Sequence, residues 1–287
     1  MKNSWRFLET GATDAYANMA IDEAMLIAYS QREIPPTLRI YEWRPPAFSF
    51  GYFQNPEQVL DAAKCIEENI PFVRRITGGG VIFHDQELTY SLVCSNKDLG
   101  TDDVKNSFKI LCSFIINAYK KLGLNAAFAK DADLSKKNLR EFSHFCFASN
   151  EDYDIVIEGR KIGGNAQRRR KDIIFQHGSI PLESDIDAIT PFLKEKPREL
   201  KNNVCSLKKV LGRGIEFLEL KNILRNSFEE TFSVNLQEEV LIFEEKKLFR
   251  QLKEEKYCSL EWNLHQIDNF RKKQIGETRY LCIKAKK

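Results

Sequence analysis

Four short stretches of this 287-residue chain combine residue types that can do chemistry. The first is Arg74-Arg75-Ile76-Thr77-Gly78-Gly79-Gly80, with His84-Asp85 just beyond it. Three consecutive glycines reach positive φ and carry no side chains. Their N–H groups can therefore close on a bound phosphate, carbonyl or acyl chain. The spacing is neither that of a Walker loop nor that of a dinucleotide fingerprint. A glycine-rich hairpin with solvated flanking charges accounts for the same residues. The second stretch is Lys161-Ile162-Gly163-Gly164-Asn165-Ala166-Gln167. A lysine two residues before paired glycines projects either into a site floored by backbone or, from a hairpin turn, into water. The third is His144-Phe145-Cys146-Phe147. A cysteine between phenylalanines is a small buried hydrophobe, unless a nearby positive charge makes it a nucleophilic thiolate. The fourth, Arg168-Arg169-Arg170-Lys171, is either a solvated face or a patch for an acidic protein or nucleic acid.

The elements that must position these residues follow from periodicity. Trp5 to Glu9 reads as a strand. Asp14 to Gln31 reads as a helix with Asp14 as its N-cap and Tyr16, Met19, Ala20, Ala24 and Ile27 at helical spacing. Strands are expected at Leu38 to Trp43 and Phe48 to Tyr52, then a helix from Pro56 to about Asn69. Phe72 to Arg75 is a strand end that the glycines break, and Leu88 to Cys94 resumes a strand pattern. Asp102 to Leu122 is the clearest helix, ended by Gly123. Strands are read at Asn125 to Ala129, Tyr153 to Ile157 and Ile173 to Ile180, with a polar surface loop from Lys130 to Ser143. Helices are expected at Ile186 to Leu193, Ile215 to Phe232 and Phe243 to Lys256. Strands early and helices late indicate an α+β fold. Its catalytic core is expected over 1–205, with a helical part over 206–287 packed on the same domain and ending in a basic tail.

Composition narrows the function. The hydrophobic fraction of 43% is that of a globular protein, and no apolar run is long enough for a membrane span. The N-terminal residues lack the apolar core of a signal peptide. Seven cysteines, an odd number with no CxxC pair, argue against a disulfide framework or zinc site and for a reducing cytoplasm. A formal charge of only +3 gives little reason to expect a nucleic-acid partner.

Taken together, the glycine motif with His84-Asp85 and the lysine motif, about 80 residues apart, resemble the lipoate- and biotin-protein ligase superfamily. The resemblance spans roughly residues 5–265. It includes Trp5-Arg6-Phe7, the helix around Asn18-Met19-Ala20, Gly51-Tyr52-Phe53-Gln54 and Glu261-Trp262-Asn263. It implies a mixed, largely antiparallel sheet packed with helices. It also implies an acyl tunnel between the glycine stretch and the lysine segment. Within the superfamily, His84-Asp85-Gln86-Glu87-Leu88-Thr89-Tyr90, Gln167 after Ala166, and a cysteine about fifteen residues before the lysine resemble the Gram-positive-type octanoyltransferases. Gly80, where that type often has arginine, and Asn165 in place of serine depart from the pattern. Gly80 keeps an ATP-using lipoate ligase in play, and an amidotransferase would use a similarly placed cysteine.

The resemblance thus implies Cys146 and Lys161 as catalytic residues. Arg74, Arg75, Thr77, Gly78, Gly79, Gly80, His84, Gly163, Gly164, Asn165 and Ala166 are implied to bind substrate. It implies no cofactor. The implied partners are octanoyl-acyl carrier protein and lipoyl domains, either the glycine cleavage H protein or a 2-oxoacid dehydrogenase E2. No nucleic acid or membrane partner is expected. The chemistry suits these residue types: thioester exchange onto a cysteine is nearly balanced, and passage to a lysine amine is downhill. Such ping-pong transfer needs a thiolate, an oxyanion stabiliser and an apolar slot.

Overall fold

The computed structural model describes residues 4–132, 153–194 and 203–273. Its first strand, β1 (Ser4–Thr13), outruns its apolar alternation because a bulge between Glu9 and Gly11 lets it bend while still pairing. It ends at Asp14, whose carboxylate accepts from the Ala17 N–H at 2.9 Å and caps the helix Ala15–Ser30. β2 (Thr37–Trp43), β3 (Ala47–Phe50), β4 (Phe72–Arg74), β5 (Ile82–His84) and β6 (Glu87–Ser95) follow. The single helix expected between β3 and β4 is two short ones, Pro56–Val59 and Ala62–Glu67. Leu60 between them is extended, fully buried and bridged to Leu193, a tertiary contact that overrides helical propensity.

The helix Val104–Lys121 leads to β7 (Ala126–Phe128), β8 (Ile155–Ile157), β9 (Arg160–Ile162), β10 (Gly164–Arg170) and β11 (Ile173–Pro181). A short helix Ile186–Ile189, β12 (Val204–Cys205), the helix Phe217–Phe232 and β13 (Asn235–Glu239) come next. After it come the helix Phe243–Leu252, a π-turn at Lys253–Tyr257 and the helix Leu260–His265, and the described residues end in a helical stretch over 269–273.

Six strands form the main sheet in the order β10-β11-β6-β2-β1-β13. Pairing is antiparallel from β10 through β2 and parallel on both sides of β1. Smaller sheets, β12-β9-β8-β7 and β4-β3-β5, carry the two motifs. Strand β6 shows how the layers pack. Its Leu88, Tyr90, Leu92 and Cys94 join Phe114 and Phe228, from the helices Val104–Lys121 and Phe217–Phe232, in one apolar cluster. Val93, facing the other way, packs with Ile21 and Met25 of the first helix. Each such leucine contributes about 1.5–3 kcal/mol by burial, and truncating Leu92 to alanine would cost about 2–5 kcal/mol once the cavity is included.

β13 is invisible to pattern reading, since only Leu236 of its inner positions is buried. It is a strand because it pairs along β1, from Ser4↔Asn235 to Leu8↔Glu239. Arg6 reinforces the join, donating from Nη1 and Nη2 to Glu245 at 2.8 and 2.5 Å in a fully buried, two-pronged pair. The residues after 205 are therefore strand as well as helix, and they complete the main sheet.

Candidate active site

The glycine stretch is not a hairpin. β4 and β5 both lie against β3, one parallel and one antiparallel, so the glycines carry the chain across the end of β3. Tyr52 N–H donates to the Thr77 carbonyl at 2.7 Å, and a Cβ on Gly51 would sit 2.0 Å from the Gly79 oxygen. Backbone packs on backbone here, which only glycine at position 51 permits.

Arg75 holds this crossover. It is 2% exposed, and its Nη2 donates to the carbonyls of Gly78 and Gly80 at 2.9 and 2.7 Å, while Nη1 donates to Ser49 Oγ at 3.1 Å. The flanking charges are thus buried rather than solvated. Arg74 turns the other way. Its guanidinium donates to the carbonyls of Tyr52, Gln54, Trp262 and Asn263 at 2.7–3.2 Å. Its backbone N–H donates to Asn263 Oδ1, and Trp262 Nε1 donates to its carbonyl. The helix Leu260–His265 thereby caps the free edge of β4. Burial without a carboxylate pulls the Arg74 guanidinium down from its ordinary range.

Two histidines bind this segment to the sheet. His84 stacks on Trp43, with centroids 3.8 Å apart and planes 6° from parallel. Its Nδ1 meets Glu87 Oε1 at 2.6 Å and its Nε2 meets Ser49 Oγ at 2.7 Å. A carboxylate only accepts, so Nδ1 carries the proton. Thr89 and Ser179 hydroxyls also donate to Glu87, at 2.5 and 2.6 Å. Burial alone would raise this carboxyl, but His84 and those hydroxyls outweigh it and hold it below the usual range. His177 contacts Thr77 Oγ1 through Nε2 at 2.7 Å, and its Nδ1 lies 3.6 Å from Asp22. Burial pushes the His177 imidazole down despite Asp22, which favours its neutral form. Asp22 accepts from Arg39, Tyr41 and Ser91. Burial would raise it, yet Arg39, His177 and Ser91 together keep it low.

The lysine motif is built on a tight hairpin. Glu158 and Gly159, both at positive φ, link β8 to β9 and place Lys161 opposite Val156. Lys161 is buried, not a surface lysine, and its Nζ donates to Asp154 Oδ2 at 2.6 Å. Gly163, at φ 78, kinks the chain from β9 into β10, and a Cβ there would lie 2.0 Å from the Ser179 carbonyl. Asn165 Oδ1 then accepts from the Tyr90 hydroxyl at 2.7 Å, which fixes the start of β10 on the main sheet.

Between the motifs lies a narrow slot, nearly closed, with a cavity volume of about 20 Å³. Met19, Trp43, Ile82 and Ala166 give it apolar walls, and Arg75 and Asn165 give it polar ones. Of the residues expected at a site, Arg75, His84, Gly164, Asn165 and Ala166 line this slot. Gly163 lies just before β10, whose Gly164 lines the slot. Thr77 bonds to His177, and Gly78 and Gly80 to Arg75, both of which line the slot. Arg74 belongs to the C-terminal clamp. Cys146 and His144 fall in 133–152, outside the described residues. Sequence reasoning missed Trp43, Ser49, Asp154, His177 and Ser179, and it passed over Glu87 inside a motif it quoted.

The basic run is less free than its composition suggests. Arg168 donates to the Ile76 carbonyl at 2.7 Å, and Arg169 donates to Ser107 and Asn96, each at 2.6 Å. Arg170 and Lys171 are exposed.

The glycine crossover and the buried lysine both fall within the match to one known domain family. The family model of the lipoyl protein ligase A/B catalytic domain matches residues 14–229. The chain belongs to that family. Among relatives of this lipoyl protein ligase A/B member, octanoyltransferase LipM of Bacillus subtilis is 35% identical over 273 residues, covering 91% of this chain and 98% of the relative. Octanoyltransferase LipM of Anoxybacillus flavithermus is 38% identical over 277 residues, with 91% and 98% covered. Among solved structures, lipoate-protein ligase A bound with ATP superposes with a TM-score of 0.76 at 27% identity, over 93% of this chain and all of that one. A bipartite lipoate protein ligase from Thermoplasma acidophilum, studied with its E2 lipoyl domain, gives 0.72 at 25% identity, over 93% and 98%. The lipoyl ligase fold thus extends over nearly the whole chain.

Proposed function

We propose that this chain moves an octanoyl group from a carrier thioester, through Cys146, to the lysine of a lipoyl domain. It is an octanoyltransferase of protein lipoylation, the class its relatives share over nearly their whole lengths. The Cys146 thiolate attacks the thioester carbonyl. A new C–S bond forms, the carrier C–S bond breaks, and the carrier thiolate takes up the proton the cysteine gave. The acceptor lysine amine then attacks, a C–N bond replaces the Cys146 C–S bond, and the amine's proton returns to the cysteine. Both steps pass through an oxyanion, which the Lys161 ammonium stabilises. The apolar slot takes the octanoyl chain.

The observation that carries this reading is the buried ammonium of Lys161 on β9, the strand that runs through Gly163 into the slot-lining Gly164 and Asn165. The other described thiols support it by exclusion. Burial pushes Cys65 up to about 12 and Cys205 up to about 11, and raises Cys94 and Cys112 as well. Cys258, though exposed, is also raised. A nucleophile needs the opposite shift.

A second reading, an ATP-dependent lipoate ligase, is favoured by Gly80 and by the ligase bound with ATP among the structural neighbours. One assay separates the two. With an apo lipoyl domain as acceptor, octanoyl-carrier without ATP should give modified acceptor, and free octanoate with ATP should not. The reverse result would replace transfer with ligation.

A further inference from the structure

A second cavity of about 190 Å³ adjoins the slot. The two meet at Glu87. Glu87 itself lines the second cavity, while His84, Thr89 and Ser179, all bonded to its carboxylate, line the slot. β9, which carries Lys161, connects the linings of the two. Val204 and Cys205, paired with Lys161 and Ile162, line the second cavity, and Gly164 lines the slot.

A thioester has two arms that meet at its carbonyl. With the acyl arm in the slot, the space across Glu87 is where the thiol arm can leave. That space has apolar walls from Phe83, Pro181 and Ile186, and carboxylate acceptors from Asp85 and Asp185. Such walls suit a neutral, partly apolar chain with amide N–H donors. We infer that the second cavity holds the pantetheine arm of the acyl donor. The assignment rests on the octanoyltransferase reading. It also gives the order of events at this cavity: the arm departs first, and the acceptor lysine then enters by the same route.

The test compares two donors in transfer to an apo lipoyl domain by the full chain. Octanoyl-pantetheine carries the whole arm, whereas octanoyl-N-acetylcysteamine keeps the same thioester on a stub. Wild-type kcat/KM should favour the longer arm by about tenfold or more, since remote binding energy is used in the transition state. Ala188→Trp, at an exposed position lining the cavity, should bring that ratio towards one. Free pantetheine should compete with the donor in the wild type, a readout that needs no variant. Equal use of both donors by the wild type, an unchanged ratio in Ala188→Trp, or no competition by pantetheine would overturn the assignment. Transfer from neither thioester would instead sink the octanoyltransferase reading beneath it.

Discussion

Changing Lys161 to methionine should remove both stability and transfer, and a second substitution should restore only the stability. Lys161 Nζ and Asp154 Oδ2 are 2.6 Å apart, with side chains 2% and 6% exposed. Neither charge has enough water to stand alone. Removing one partner of such a pair typically costs about 3–5 kcal/mol, because the survivor stays buried and loses its countercharge. In a protein of this size, each kcal/mol moves Tm by about 2–4 °C, so Lys161→Met should lower Tm by on the order of 6–20 °C. Lys161→Met with Asp154→Leu removes both charges and fills their space with apolar atoms, a change that is often close to neutral. The double variant should therefore melt near the wild type, with a coupling energy of about 2 kcal/mol or more in the double-mutant cycle. Its transfer rate should stay down by about a hundredfold or more, the usual loss for a missing oxyanion donor. Thermal unfolding and octanoyl transfer, measured on the same four proteins, check both halves. A double variant that transfers normally would refute any chemical role for Lys161. Additive destabilisation would show that the pair is not an energetic unit.

Incubation with octanoyl-carrier and no ATP should add one hydroxylamine-labile octanoyl mass to the Cys146 peptide. Cys146→Ala should abolish it and Cys205→Ala should not, and the opposite pattern would move the nucleophile to β12. Stability should fall with acid in two stages. His177 is depressed below 6.5 by burial, so its contribution is complete above that pH and declines as pH drops towards the folded value. Glu87 and Asp22, also depressed, add theirs above the ordinary carboxylate range and lose it only as pH falls further. His177→Gln should erase the first stage in urea midpoints taken from pH 8 to pH 5, and a first stage that persists would place its origin elsewhere. Reversing the exposed Arg170 and Lys171 should raise acceptor KM at low salt with little change in kcat. Arg168→Glu should instead lower kcat, because Arg168 holds the Ile76 carbonyl beside the glycines; equal effects from both changes would contradict this division.

The elements most legible in the sequence were those whose pattern and burial agree. The helix Val104–Lys121 has one apolar face, and β6 and β11 are β-rich runs bounded by turns. Legibility failed where partners are distant. Leu60 breaks a helix to reach Leu193, and β13 is a strand only because β1 lies beside it. The site followed the same rule. Glycines and a lysine announce themselves by type and spacing. Asp154, Ser49 and His177 are ordinary residues until folding places them within hydrogen-bond reach of Lys161, His84 and Thr77. Glu87 was in plain view, but nothing local says that its carboxylate will receive His84, Thr89 and Ser179 at once.

Arg74 and Arg75 show what a closer reading could have recovered. By type alone the two identical neighbours read as one substrate-facing pair. Successive residues of an extended chain point to opposite faces, and β4 runs straight into them. One arginine had to face the slot and the other had to face away. The structure sends Arg75 to the glycine carbonyls and Ser49, and Arg74 to Trp262 and Asn263. The late Trp262-Asn263 motif and the early Arg74-Arg75 motif are therefore two halves of one structure, nearly 190 residues apart in sequence. A change at Asn263 removes the acceptor for the Arg74 N–H, and it reaches the slot only through the strand that carries Arg75. Its effect on transfer should scale with how far Arg75 is released from Gly78 and Gly80. For that reason the C-terminal clamp belongs with the machinery that positions the site.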